Sequence, residues 1–107
     1  MLLGIAFLLA TAVSLAAETD VKTGLVLAPG LEVVSTQCTV CHSARLISQN
    51  RADREGWLEM IRWMQKTQGL WPLGDNEDLV LDYLAANYGP VAKGRRARLR
   101  DEFLPPR

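Results

Sequence analysis

A chain of 107 residues sets a single domain as the default, and nothing in its composition gives a nucleic-acid signature. Its formal net charge is zero, but the charge is uneven. Residues 18–90 carry 6 basic and 10 acidic side chains, whereas 91–107 carry 6 basic and 2 acidic.

Residues 2–13 form an apolar, uncharged run that leads into Ser14-Leu15-Ala16-Ala17 before the first charge at Glu18. A short apolar run closing on small residues reads as a secretory signal peptide, cleaved after Ala16 or Ala17. No Lys or Arg precedes the run, so an uncleaved membrane anchor is the alternative, although the stretch is short for a span of about 20 residues. The mature chain is then about 90 residues. A domain of that size buries limited apolar surface and often depends on a staple. Residues 18–30 lack periodicity and end in Pro29-Gly30, which reads as an extended lead-in.

From 31 to about 46 the apolar positions Val34, Cys38, Cys41 and Ala44 recur at three- and four-residue steps, the pattern of a helix. On such a helix Cys38 and Cys41 share a face and His42 lies four residues after Cys38. Residues 47–53 are polar and read as a loop. A second helix is predicted from an Asp53 N-cap to about Gln68, with Glu55 in its first turn and Gly69 as its C-cap. Trp57, Ile61 and Met64 fall at i, i+4 and i+7, with Met60 beside them. The stretch from Gly69 to Gly74, containing Trp71-Pro72, reads as a turn. A third helix is predicted over about 76–87, capped by Asp75, with Leu79, Val80, Tyr83 and Leu84 as its apolar face and Gly89-Pro90 as its stop. The basic tail, 91–107, has no clear periodicity; it is either a solvated end or a dock for an acidic partner. No strand is predicted, and the fold class is all-α.

Cys38-Thr39-Val40-Cys41-His42 holds both cysteines and the only histidine of the chain. Cys-x-x-Cys-His is the pattern of c-type haem attachment. Each thiol adds to a haem vinyl group, and the histidine is placed to ligate iron from the proximal side. The competing readings are weaker. A thioredoxin-like dithiol needs a βαβ context, and zinc needs three or four ligands where only three Cys or His exist within five positions. Haem attachment is completed on the export side of a bacterial membrane, which agrees with the apolar leader. A covalent haem would also supply the missing core.

With His42 as the only histidine, a distal ligand must come from elsewhere. Loss of Met1 with the leader leaves Met60 and Met64, and spacing does not separate them, because both lie near the Trp57–Ile61 face. His/Met ligation raises the haem potential and suits electron transfer. Core packing is the expected role of Trp57. Trp71, in a turn, is the candidate for a ring near the haem edge with its indole N–H free to donate. Arg45, three residues after His42, either pairs with a haem propionate or is solvated.

These stretches together resemble short monohaem class I cytochromes c, the electron-accepting subunits of periplasmic dehydrogenases. The shared pattern is Cys38 to Arg45, then Trp57-x-x-x-Ile61-x-x-Met64, then Gly69, then Tyr83-Leu84-Ala85-Ala86-Asn87-Tyr88-Gly89-Pro90. In that family the Met closing the Trp-to-Met segment is the distal ligand, so the resemblance implies Met64, with Met60 as second choice. More narrowly, 41–47 and 61–71 look like the cytochrome subunit of bacterial sulfite dehydrogenase, and the resemblance covers about 35–100. It implies a class I cytochrome c fold over 31–90, with about three main helices around one covalent haem c. It further implies a periplasmic, non-catalytic electron carrier. Such a carrier accepts electrons from a molybdenum-cofactor sulfite dehydrogenase subunit and passes them to a downstream cytochrome c or terminal oxidase. Association with a membrane is implied only if the leader is uncleaved. The alternatives are a free periplasmic shuttle, a subunit of another dehydrogenase, and a haem sensor or peroxidase with an open distal site.

Overall fold

A computed structural model of the chain describes residues 15–92. The expected export leader over 1–17 and the basic tail over 91–107 therefore fall almost wholly outside the described residues. Among those residues the architecture is α-helical: α1 (Leu31–Cys38), α2 (Arg45–Ser48), α3 (Arg54–Thr67), a single 3-10 turn (Gly74–Asn76) and α4 (Glu77–Asn87). The only extended pairing among them is an isolated antiparallel bridge between Thr19 and Val26. No helix in this region is long and apolar enough to cross a membrane.

α3 starts as its sequence dictates. The Asp53 side chain accepts a 2.8 Å hydrogen bond from the Gly56 N–H, satisfying a donor that the first helical turn leaves unpaired. At the other end Gly69, at φ +72°, takes the left-handed conformation that suits glycine after a helix. The chain then doubles back, and the Met64 carbonyl accepts from both Gln68 N–H (2.8 Å) and Leu70 N–H (3.3 Å). α4 differs from expectation at its start. Asp75 lies inside the 3-10 turn, Asn76 is the N-cap, and no side chain caps the helix. The 3-10 turn leads directly into α4, so its backbone bonds take over the capping role.

α4 is the element on which the others are assembled, since α1 and α3 both pack against it. Its buried face is Val80, Leu81, Tyr83 and Leu84, whereas Leu79, expected inside, is 40% exposed. The face is turned by one position because α4 is covered from two sides, by α1 and by α3, rather than by a single partner. Ile47, Trp57, Ile61, Leu73 and Tyr88 complete the core with Val34 from α1.

The lead-in is more integrated than an extended arm. Asp20 caps a turn by accepting from the Thr23 N–H (2.8 Å) and hydroxyl (2.6 Å), and these bonds hold its carboxyl below the usual carboxylate range. Leu25 is fully buried. Two phenols then grip Val26: the Tyr83 hydroxyl donates to its carbonyl (2.6 Å), and the Tyr88 hydroxyl accepts from its N–H (3.1 Å). Burial pushes the Tyr83 phenol further up, which keeps it a donor. Where the lead-in enters α1, Gly30 sits at φ +98° in a tight space, and its conformation is one that side-chain-bearing residues rarely adopt. A Cβ there would lie 3.0 Å from the Tyr83 Cβ and 3.2 Å from the Leu79 carbonyl.

The predicted helix over 31–46 is interrupted. α1 ends at Cys38, Thr39 leaves helical geometry at φ −105° and ψ 6°, and the chain re-enters helix only in α2. Thr39 and Val40 are adjacent β-branched residues, and the Thr39 hydroxyl bonds back to the Ser35 carbonyl, an alternative to continuing the helix. Part of the expected polar loop over 47–53 is thereby absorbed into α2, whose Ile47 is buried.

A candidate cofactor cavity

Residues 37–50 and α3 enclose a cavity of about 560 Å³, within the range of about 300–1,000 Å³ typical of small-molecule and cofactor sites. Cys38, Cys41 and His42 line it from one segment, and Trp57, Met60, Trp63 and Met64 from α3. Leu46, Ile47, Leu70 and Leu84 supply further apolar wall, while Gln37, Asn50 and Gln68 add the polar groups. The helical face that the sequence suggested for the motif is replaced by a helix end and a turn. Even so, both cysteines and the histidine reach the same cavity.

The motif residues differ in environment. Cys38 is half-buried at the end of α1, and burial pushes its thiol up to about 11, so it is a neutral thiol at pH 7. Cys41 is exposed, and both cysteines are unbridged. His42 is half-buried, and its Nδ1 lies 3.4 Å from the Ser43 carbonyl, a contact at the outer limit for a hydrogen bond.

α3 contributes its methionines from a rigid base. Trp57 is only 5% exposed, and its indole N–H donates to the Tyr88 carbonyl (3.1 Å), which also receives the Ala52 N–H (3.1 Å). Its expected core role is what the structure contains, and it also lines the cavity. Met60 and Met64 are both half-buried and both line the space, so placement alone leaves the pair unresolved, as spacing did.

Two residues expected near the haem are not part of the lining. Trp71 is not among the cavity-lining residues, and its indole N–H is not free: it donates to the Gln37 side chain. The turn that holds Trp71 folds back over the α3 terminus and brings the ring to the end of α1. Arg45, the first residue of α2, is exposed and is also absent from the lining. Conversely, Trp63, which the sequence offers only as one of three tryptophans of which at least one is expected to pack on a haem, lines the cavity while 57% exposed. Its signal was available, because Trp63 follows Met60 by three positions and so shares its side of the helix. Gln37, Asn50 and Gln68 carried no comparable signal.

The donor set bears on what the cavity could hold. Among the described residues no group of three His, Cys, Asp or Glu side chains converges as a metal-binding set. One imidazole and a thioether are too few to hold an iron by themselves, but they would complete the ligation of a metal already held by a macrocycle. The apolar walls suit the faces of such a macrocycle, and two thiols at its edge suit covalent attachment. The residues present therefore fit a haem. Comparison of the chain with protein-family models, with curated proteins and with solved structures returns no match.

Proposed function

We propose that the cavity holds one covalent haem c and that the chain is an exported electron-transfer protein of the class I cytochrome c type. The observation that carries this reading is the convergence of Cys38, Cys41 and His42 on one apolar cavity that also receives Met60 and Met64. Cys38 and Cys41 would hold the group, each thiol through a thioether bond formed by addition of its S–H to a haem vinyl double bond. His42 would offer a ring nitrogen to the iron, and Met64 would offer its sulfur. Trp57, Ile47, Leu70 and Leu84 would supply apolar contact to its faces. A haem c bound there supplies reversible one-electron chemistry, at a potential that His/Met ligation raises. The chain itself performs no bond-making chemistry on a substrate.

The same reading places the protein in the periplasm, taking electrons from a molybdenum-cofactor sulfite dehydrogenase subunit and passing them to a downstream cytochrome c or oxidase. Its support is the resemblance of 41–47 and 61–71 to the cytochrome subunit of that enzyme.

The ferric absorption spectrum tests the ligand set. Met64→Ala is expected to abolish the weak far-red band of Met–iron ligation, and Met60→Ala to retain it. The opposite pattern moves the ligand to Met60, and a wild-type protein that binds external ligands at rest without such a band indicates an open distal site. Co-purification with a catalytic subunit other than a molybdenum protein would sink the sulfite assignment while leaving electron transfer intact.

A further inference from the structure

The bond between Trp71 and Gln37 is one link of a longer chain. Gln37 immediately precedes Cys38, lines the cavity and accepts the Trp71 indole N–H. The Trp71 carbonyl accepts from Gln65 Nε2 (3.4 Å), and Gln65 Oε1 accepts from Arg62 (3.0 Å). Arg62 in turn donates to both Glu77 carboxylate oxygens at 2.7 Å. The chain of bonds therefore runs from the end of α1, through the loop after α3, along α3 itself, to the first residue of α4.

This route joins elements that packing leaves apart. α1 and α3 each pack on α4, not extensively on each other, and the cavity lies where they diverge. The loop over 69–73 is fastened to α3 at the Met64 carbonyl, through the Gln68 and Leu70 N–H groups, and Leu70 lines the cavity. At its far end Leu73 is buried in the core. Between those anchors, Trp71 is the loop's hydrogen-bonded grip on α1.

We propose that Trp71 is a positioning residue: its indole N–H, held by Gln37, fixes the 69–73 loop and so holds Met64 in register with the Cys38 anchor across the cavity. This inference rests on the haem reading above. It assigns Trp71 to the alignment of two protein walls rather than to contact with the haem edge. Loosening the latch leaves the cysteines and His42 untouched but makes Met64 easier to displace.

Imidazole titration of the ferric holoprotein reads that displacement directly. Trp71→Phe removes the donor and Gln37→Leu the acceptor. Each is expected to raise imidazole affinity about fivefold, the factor associated with one lost hydrogen bond. The double variant is expected to do no more than either single, because the two changes break one link. Gln37→Glu keeps an acceptor and is expected to change imidazole affinity less than Gln37→Leu does. Gln37→Leu carries the test should Trp71→Phe not fold. The proposal is overturned if imidazole affinity stays at the wild-type value in both single variants, or if their effects add. It is also overturned if urea stability falls without a change in imidazole affinity. A wild-type holoprotein lacking the Met–iron band would instead remove the haem-ligand reading on which the proposal stands. A normal wild-type band with unresponsive variants removes the latch alone.

Discussion

The two walls of the cavity are built by different means. On one side α3 begins at a side-chain cap, ends at a left-handed glycine and buries Trp57 and Ile61 against α4. It is further tied to α4 by ion pairs from Arg54 to Asp78 and Asp82 and from Arg62 to Glu77. On the other side, 39–44 has no regular structure, Val40 is 67% exposed, and the two short helices that flank it lack side-chain caps. The side that would carry covalent chemistry is the less constrained one. A segment that must admit a large group and offer two thiols to it gains from being open before attachment, whereas the opposite wall gains from being fixed beforehand. The stabilising contacts are thus concentrated in α3 and α4, while the thiols sit on the neighbouring open segment.

The largest blow to the fixed wall is Trp57→Ala. It removes a buried indole and its bond to the Tyr88 carbonyl, and it is expected to cost about 3–5 kcal/mol in urea unfolding. Asp53→Ala removes the α3 cap and is expected to cost about 1 kcal/mol in the same assay.

The Arg62–Glu77 pair adds a pH signature. The hydrogen bonds from Arg62 hold the Glu77 carboxyl below its ordinary value of 4.5. Stability from a depressed carboxylate is fully present above its unfolded pKa and is lost as pH falls through the folded one. Between pH 7 and acid, wild type is therefore expected to lose stability more steeply below about pH 4.5 than Glu77→Gln does, as followed by urea midpoints across that range. Equal slopes would mean the pair contributes nothing. At the other extreme, Val40→Ala on the open wall is expected to change stability by less than about 0.5 kcal/mol. A cost comparable to that of Asp53→Ala would erase the distinction between the walls.

α3 was legible in the sequence because its determinants are local: the Asp53 cap, the Gly69 stop, and apolar residues at i, i+4 and i+7 all point the same way. The break after Cys38 was less legible, since the apolar period runs through it and only the Thr39-Val40 pair argues for a stop. The burial of Leu25 and the grip of Tyr83 and Tyr88 on Val26 depend on partners more than 50 positions away in sequence, and no local pattern announces such pairings. The same holds at the site. The cysteines, His42 and the methionines were identified by residue type and spacing. The Trp71–Gln37 bond spans 34 positions and redirects an indole that, judged from its turn alone, was expected to be free.

Covalent attachment at the open wall underlies the proposed electron transfer. Mass spectrometry of the intact protein, produced in the periplasm of a host with the c-type haem attachment machinery, tests that most directly. The predicted result is one haem mass per chain, localised by proteolysis to the peptide containing Cys38 and Cys41 and absent from the Cys38→Ser, Cys41→Ser double variant. Wild-type protein recovered folded from that host without added mass, and with both thiols open to alkylation, would contradict it.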